Sequence, residues 1–146
     1  MRFIIYLCLS FLIASDENAP FQRTRDREVD IHHIKIDVSV DIELESVSGY
    51  VIHTLSPLNP SLKSFSLDAD DMLIRRVTMN GQDLEFVYSS SWLTIDLPSP
   101  LGWSDTINVR VDYSAKPRKG VYFIKPDETY PDKPWQAWTQ GEDMDN

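Results

Sequence analysis

Histidine is the first residue type to consider as a metal ligand in this chain, and it occurs at His32, His33 and His53. None of the three belongs to an H-E-x-x-H helix, in which two imidazoles one turn apart share a face and hold zinc. His32 and His33 are adjacent in a segment of strand character, where neighbouring side chains point to opposite faces. The sequence also lacks a Gly-rich phosphate loop and a serine nucleophile elbow. We therefore predict no metal ligands and no catalytic residues in this chain.

Two clusters contain charged residues of types that can bind ligands. The acidic run at residues 68–71 offers the carboxylates that calcium prefers, but it lacks the spaced Asp/Asn-Gly-Glu pattern of a calcium loop. A solvated turn between two strands is the favoured interpretation. Lys116, Arg118 and Lys119 form a basic loop that could meet an acidic partner surface, although such residues more often keep a loop solvated.

Composition excludes several function classes. The 146 residues include 14 Lys plus Arg against 23 Asp plus Glu, which gives a formal net charge of -9. Because a surface this acidic repels phosphate backbones, nucleic acid is not an expected partner. The single cysteine, Cys8, rules out an intramolecular disulfide framework. At 42% hydrophobic residues, the chain has enough apolar content for one globular domain.

The amino-terminal segment has the order of a secretory signal peptide. Met1-Arg2 is followed by an apolar run at residues 3–13 and then by the small residues Ala14 and Ser15. As a helix, this run would be roughly 16 Å long, well short of a ~30 Å hydrocarbon core, so no stable membrane span is expected. The alternative is a buried first strand. We predict a signal peptide at residues 1–15, export to the periplasm or the extracellular space, and a flexible lead-in at 16–30.

Alternating side chains organise the remaining sequence into strands. Residues 34–45 alternate between apolar and polar for their whole length, which predicts a strand with one buried face. Asn80-Gly81 is a strong hairpin signal because both residues tolerate positive φ. All nine prolines are assigned to the tail or to connections. Further strands are expected at 49–55, 62–67, 72–79, 82–88, 92–97, 106–113, 121–124 and 135–140. This pattern predicts an all-β, antiparallel sandwich or saddle-like domain.

The sequence of residues 31–146 resembles that of the amino-terminal domain of the aminopeptidase N family of zinc metallopeptidases, the gluzincin aminopeptidases. The similar segments occur in the family's order, and they are spread over about 110 residues. They are IHHIKIDV at 31–38, VSGYV at 47–51, LDADD at 67–71, VTMNG at 77–81, Tyr113-Ser114 with Pro117 and GVYF at 120–123, and WTQGE at 138–142.

The resemblance implies a function for two residues that composition alone would leave as surface positions. In the family, the Gln-x-Glu element faces the zinc site, where its glutamine lines the pocket for the first side chain and its glutamate helps to hold the free α-amino group. Gln140 and Glu142 match these positions. A carboxylate suits a protonated amine, and fixing that amine is how an exopeptidase counts from the end of its substrate.

The family's substrate loop, zinc-binding helix and downstream glutamate ligand have no counterpart in this sequence. We therefore expect an incomplete β-domain whose missing strands and catalytic domain would be its partners, with zinc and the peptide amino terminus bound by the full-length parent enzyme. Such a fragment should be inactive alone and should expose apolar surface near Trp135 and Trp138. The alternative is a standalone, non-catalytic β-sandwich that binds a protein or peptide.

Overall fold

The computed structural model describes residues 26–89 and 91–140. The predicted signal peptide, most of the predicted lead-in and Glu142 lie outside the described residues. Strand structure begins at Val29, inside the segment 16–30 that we expected to be a lead-in.

The described residues form ten strands and no helix, which confirms the all-β prediction. None of them therefore forms a helix long and apolar enough to cross a membrane. The strands are β1 (Val29–Asp41), β2 (Ser46–Pro57), β3 (Leu62–Asp68), β4 (Met72–Met79), β5 (Gln82–Asp83), β6 (Phe86–Ser89), β7 (Trp92–Leu101), β8 (Ile107–Ala115), β9 (Val121–Ile124) and β10 (Gln136–Thr139).

These strands build three antiparallel sheets. The largest has the order β1-β2-β8-β4-β5, the second has the order β3-β7-β6, and β9 pairs with β10 as a separate hairpin. The apolar faces of the two larger sheets meet in a sandwich. Its centre is formed by side chains that are almost fully buried: Leu55, Phe65, Val77, Leu93, Ile95 and Val109.

The predicted hairpins form, with adjusted turns. Asn80 and Gly81 adopt φ of 53° and 80°, as the hairpin between β4 and β5 requires. The turn between β1 and β2 occupies residues 42–45, slightly earlier than expected. Asp41 accepts a hydrogen bond from the Leu44 backbone N–H at 2.9 Å, and Glu45 has a φ of 52°. These local contacts reverse the chain before the alternating pattern ends.

The predicted single strand at residues 82–88 is divided between two sheets. Leu84 still donates its N–H to the carbonyl of Val77 in the large sheet. One residue later, the carbonyl of Glu85 accepts from Asp96 in the second sheet. Because the side chain of Leu84 is buried at this corner, the chain can cross from one layer to the other while it stays anchored in the core.

The prediction that every proline lies outside the strands was wrong for β2, which ends at Pro57, and for β7. Pro98 and Pro100 lie within the bounds of β7. The register with β3 jumps at this point, since Ser64 pairs with Asp96 and Leu62 pairs with Leu101. Pro98 and Pro100 therefore lie in an irregular stretch, where a missing N–H breaks no ladder hydrogen bond.

The apolar face of β1 is more exposed than the alternation predicted. Ile34, Ile36, Val38 and Val40 retain between 37% and 63% exposure. They lie on the same face of the large sheet as the buried core residues, because Ile36 pairs with Val51 and Val51 pairs with Val111. The second sheet packs over β2, β8 and β4, where the buried residues lie, and leaves this edge open among the described residues.

Candidate functional site

The candidate site is the hairpin of β9 and β10, because Gln140 follows it directly. The four pairs of this hairpin run from Val121 with Thr139 to Ile124 with Gln136. One of them joins Tyr122 to Trp138, and the two rings stack with centroids 4.4 Å apart and planes 21° apart. Stacked aromatic pairs of this kind add to the stability of a short hairpin beyond the area they bury.

The connection between β9 and β10 is ordered by Asp127. One carboxylate oxygen of Asp127 accepts hydrogen bonds from the backbone N–H groups of Thr129 and Tyr130, at 3.0 and 2.9 Å. The other oxygen binds the Lys133 ammonium group at 2.6 Å. The hydrogen bond from Lys133, together with that from the Tyr130 backbone, holds the pKa of Asp127 below its usual value. A long proline-rich connection therefore becomes a defined turn.

Lys125 joins the hairpin to the body of the domain. Its ammonium group contacts the Glu45 carboxylate at 2.7 Å and the Glu43 carbonyl oxygen at 3.2 Å. The hydrogen bond from Lys125 lowers the pKa of Glu45. Because the pair is solvent-exposed, it orients the hairpin without contributing much stability.

Gln140 continues the ladder of the hairpin by one position. Its backbone N–H donates to the Gly120 carbonyl oxygen at 3.0 Å, just beyond the pair of Thr139 with Val121. Strand alternation then places its side chain on the same face as Trp138 and Tyr122. Gln140 is half-buried. The structure thus brings one of the two predicted site residues next to the aromatic stack, whereas the other, Glu142, lies outside the described residues.

The acidic run at residues 68–71 and the basic loop contact neighbouring groups and each other. Asp70 accepts from the Ser91 hydroxyl at 2.9 Å, and Asp71 pairs with Arg118 of the basic loop. Tyr88 supports the same turn, since its hydroxyl donates to the Ala69 carbonyl and accepts from the Met72 N–H. These contacts are those of a solvated turn between two strands.

The histidines are dispersed. His32 lies 2.8 Å from the Ser56 hydroxyl at the surface. His53 points between the sheets, and its Nδ1 is a buried polar atom that has no hydrogen-bond partner among the residues that the structure describes. Burial lowers the pKa of His53. Within residues 26–89 and 91–140, no three side chains of His, Cys, Asp or Glu come together in a way that could hold a metal ion.

Sequence reasoning did not identify Tyr122 or Lys125 as part of this region. The partner of Trp138 depends on the register between two four-residue strands whose connection carries no compact turn signal. The pairing of Lys125 with Glu45 depends on how the hairpin meets a distant turn. The only available signal was the match of residues 120–123 to the family pattern. The hairpin presents the rings of Tyr122 and Trp138 and the amide of Gln140, which are side chains that can contact a ligand.

The comparison with curated proteins relates the chain to leukotriene A-4 hydrolase of Xenopus laevis, with 27% identity over 97 residues. That match covers 62% of this chain and 16% of the relative. The chain thus spans about a sixth of the length of this relative. No known protein-family profile matches the chain.

Solved structures share the fold. An M1 zinc metallopeptidase of Deinococcus radiodurans with a bound Tyr-Ser-Ala substrate aligns with a TM-score of 0.55 and 23% identity, over 68% of this chain and 22% of that one. Native leukotriene A4 hydrolase of Saccharomyces cerevisiae aligns with a TM-score of 0.58 and 18% identity, over 66% and 17%. The predicted resemblance to an amino-terminal domain of the aminopeptidase N family is confirmed, and in each case the match covers only a part of the known protein.

Proposed function

We propose that this chain, which resembles the amino-terminal β-domain of the aminopeptidase N family, serves in a zinc-dependent aminopeptidase and helps to recognise the amino terminus of a peptide substrate. The observation that carries the proposal is the ordered resemblance from residue 31 to residue 142, together with the shared fold. The hairpin geometry supports it, because Gln140 continues β10 on the face of the Tyr122 and Trp138 rings.

The chemistry of Gln140 and Glu142 suggests a role for each residue. Gln140 offers an amide that can donate to and accept from a substrate backbone. Glu142 would supply a carboxylate for the protonated α-amino group, and this charge-assisted bond fixes the position of the first peptide bond. Zinc would be held by a catalytic domain of the parent enzyme. This chain contributes positioning of the substrate, and that domain performs hydrolysis.

The first test is the coding sequence beyond the codon for Asn146. The proposal expects, in frame, the family's substrate loop, Gly-x-Met-Glu-Asn, followed by its zinc-binding H-E-x-x-H helix. A confirmed stop codon, combined with a cooperative and monomeric thermal unfolding transition of residues 20–146, would contradict it and would favour a standalone binding module.

Substitutions in the full-length enzyme test the roles of the two residues. We expect Glu142→Gln to lower kcat/KM for a peptide with a free amino terminus by roughly 100-fold, since a charge-assisted bond to the amine is lost. Gln140→Ala should lower it by about tenfold and change the preference for the first side chain. Steady-state kinetics on a panel of aminoacyl substrates measures both effects.

Gln136→Ala is the matched control, because Gln136 is an exposed amide in β10, the strand that Gln140 follows, four positions before Gln140. Its kinetics should stay within about twofold of the unchanged enzyme. An equal loss in Gln136→Ala and Gln140→Ala would mean that the hairpin acts only as a structural element.

A further inference from the structure

The outer edge of β1 is a long strand edge without a neighbour. β1 lies at the end of the five-stranded sheet, and within the described residues only β2 pairs with it. It runs for 13 residues, Val29–Asp41, without a proline. An edge strand directs alternate N–H and C=O groups away from its neighbour, so this edge is a template for another strand.

The side chains of β1 add to this tendency. Its core-facing side carries Ile34, Ile36 and Val38, each more than one third exposed. Its opposite side carries Lys35 and Asp37, one on either side of Ile36. A second strand of matching alternation could pair with this edge. Its apolar side chains would then lie beside those of β1, and its opposite face would meet the positive charge of Lys35 and the negative charge of Asp37.

We propose that two copies of this chain associate by antiparallel pairing of β1 with β1 of the second copy, about a two-fold axis at Ile36. The pairing joins the two five-stranded sheets into one continuous sheet. It is an isologous contact, so each half supplies the same residues to the other.

The charges of β1 favour this register over the two adjacent ones. Residues directly opposite each other in an antiparallel pair share a face, so a two-fold axis passes through a residue, and the registers on either side of Ile36 have the axis at Lys35 or at Asp37. An axis at Lys35 or at Asp37 places two like charges opposite each other, which is destabilising. An axis at Ile36 places Lys35 opposite Asp37 of the second copy, and it does so twice.

The same register matches the apolar side. Ile36 meets Ile36 of the second copy, and Ile34 meets Val38 in both halves. The regular part of β1 also limits the contact, because the register with β2 shifts between Ile31 and His33. Residues 33–39 are free of that irregularity and lie symmetrically about Ile36.

Charge exchange in the full 146-residue chain tests the proposal. Lys35→Asp and Asp37→Lys should each weaken self-association about tenfold or more, since each replaces two attractive pairs by two repulsive ones. A one-to-one mixture of the two variants should associate again as a heterodimer, because all opposing charges are then complementary. Sedimentation velocity over a concentration series measures both results.

The double variant K35D/D37K should self-associate like the original chain, because exchanging the two charges leaves opposite charges facing each other across the axis. Lys63→Asp and Glu85→Lys are the matched controls, since both residues are exposed and lie outside β1. Their association should be unchanged. Circular dichroism of every variant checks the fold, because Asp37 also accepts a hydrogen bond from the Tyr50 hydroxyl at 2.8 Å.

Three results would overturn the proposal. A chain that stays monomeric at every concentration would show that this edge is unavailable or is covered within the chain. Association that is equally strong in both single variants would place the contact elsewhere. Failure of the mixed variants to associate, while both remain folded, would exclude the register about Ile36.

Discussion

At the scale of single residues, the backbone of β1 and β2 depends on Gly49. This residue has a φ of 155° and lies opposite Val38 in the ladder. A Cβ atom at this position would overlap the Asp37 carbonyl oxygen and would lie 2.8 Å from the Val38 Cα. Both neighbours are backbone atoms, which cannot move aside without a shift of the strand. Gly49 therefore sets the close approach of the two longest strands.

We expect Gly49→Ala to lower the free energy of unfolding by about 3 kcal/mol, because strain at a restricted backbone position adds to a steric overlap. Gly81→Ala is the control: Gly81 also has a positive φ, 80°, but nothing lies within 4 Å of its Cβ position. It should cost about 1 kcal/mol from the backbone conformation alone. Urea unfolding measures both values, and equal losses would contradict a steric role for Gly49.

At the scale of elements, the hairpin of β9 and β10 is held by different forces from those of the sandwich. Its side chains contribute none of the buried core, and Trp135 and Trp138 remain 56% and 45% exposed, in agreement with the exposed apolar surface expected there. The stack of Tyr122 on Trp138 and the turn at Asp127 stabilise the hairpin in the absence of a buried core, and the contact of Lys125 with Glu45 orients it. We therefore expect the hairpin to open independently of the two larger sheets.

Trp138→Ala should increase the rate of amide hydrogen exchange in Val121–Ile124 by roughly 2- to 12-fold, because an aromatic pair contributes roughly 0.5–1.5 kcal/mol beyond its buried area. Exchange in β3 and β7 should not change, since the substitution lies outside their core. Trp135→Ala is the matched control, as this ring is similarly exposed and precedes β10. Native-state hydrogen exchange resolves the difference, and slow exchange in β9 of the Trp138 variant would refute the assignment.

At the scale of the whole molecule, the sandwich buries its apolar residues unevenly. Core residues concentrate where β2, β8 and β4 face β3 and β7, while the apolar face of β1 remains open in the described structure. His53 lies at the boundary of these two regions, since it pairs with Ile34 of β1 and Val109 of β8. Glu28, Asp68 and Trp92 line the cavity of about 510 Å³ that His53 borders. Because burial disfavours the charged form of His53, its protonation is linked to the stability of the fold.

The lowered pKa of His53 predicts a loss of stability in mild acid. The unfolded chain binds a proton at His53 near pH 6.5, whereas the folded chain resists it because burial disfavours the charge. Unfolding in mild acid therefore takes up a proton. The contribution of His53 to the free energy of unfolding is fully present above pH 6.5, and it declines as the pH falls toward the lower folded pKa. Urea unfolding from about pH 7.5 to about pH 5 should show this slope, and His53→Leu should flatten it. An unchanged slope in that variant would contradict the linkage; His33→Leu, at an exposed ring, is the control.

Export remains a prediction, and so do the roles of Gln140 and Glu142. The apolar run at residues 3–13 and the residue Glu142 both lie outside the described structure. The comparisons show the shared fold. A place for this chain in a metallopeptidase, and a part in recognising an amino terminus, are proposals.

The sequence by itself determined the all-β class, most strand positions and the hairpin at Asn80-Gly81, because alternation and turn chemistry act between near neighbours. The order of its motifs also determined the resemblance to the aminopeptidase N family. Tertiary structure alone decided that the chain changes sheets at Leu84, that Pro98 and Pro100 fit an irregular stretch of β7, and that Tyr122 stacks on Trp138. It also decided that the apolar face of the large sheet is covered over β2, β8 and β4 and left open over β1. The physical reason is that alternation marks a side chain as apolar, whereas its burial depends on a second layer whose position is set by contacts distant in sequence.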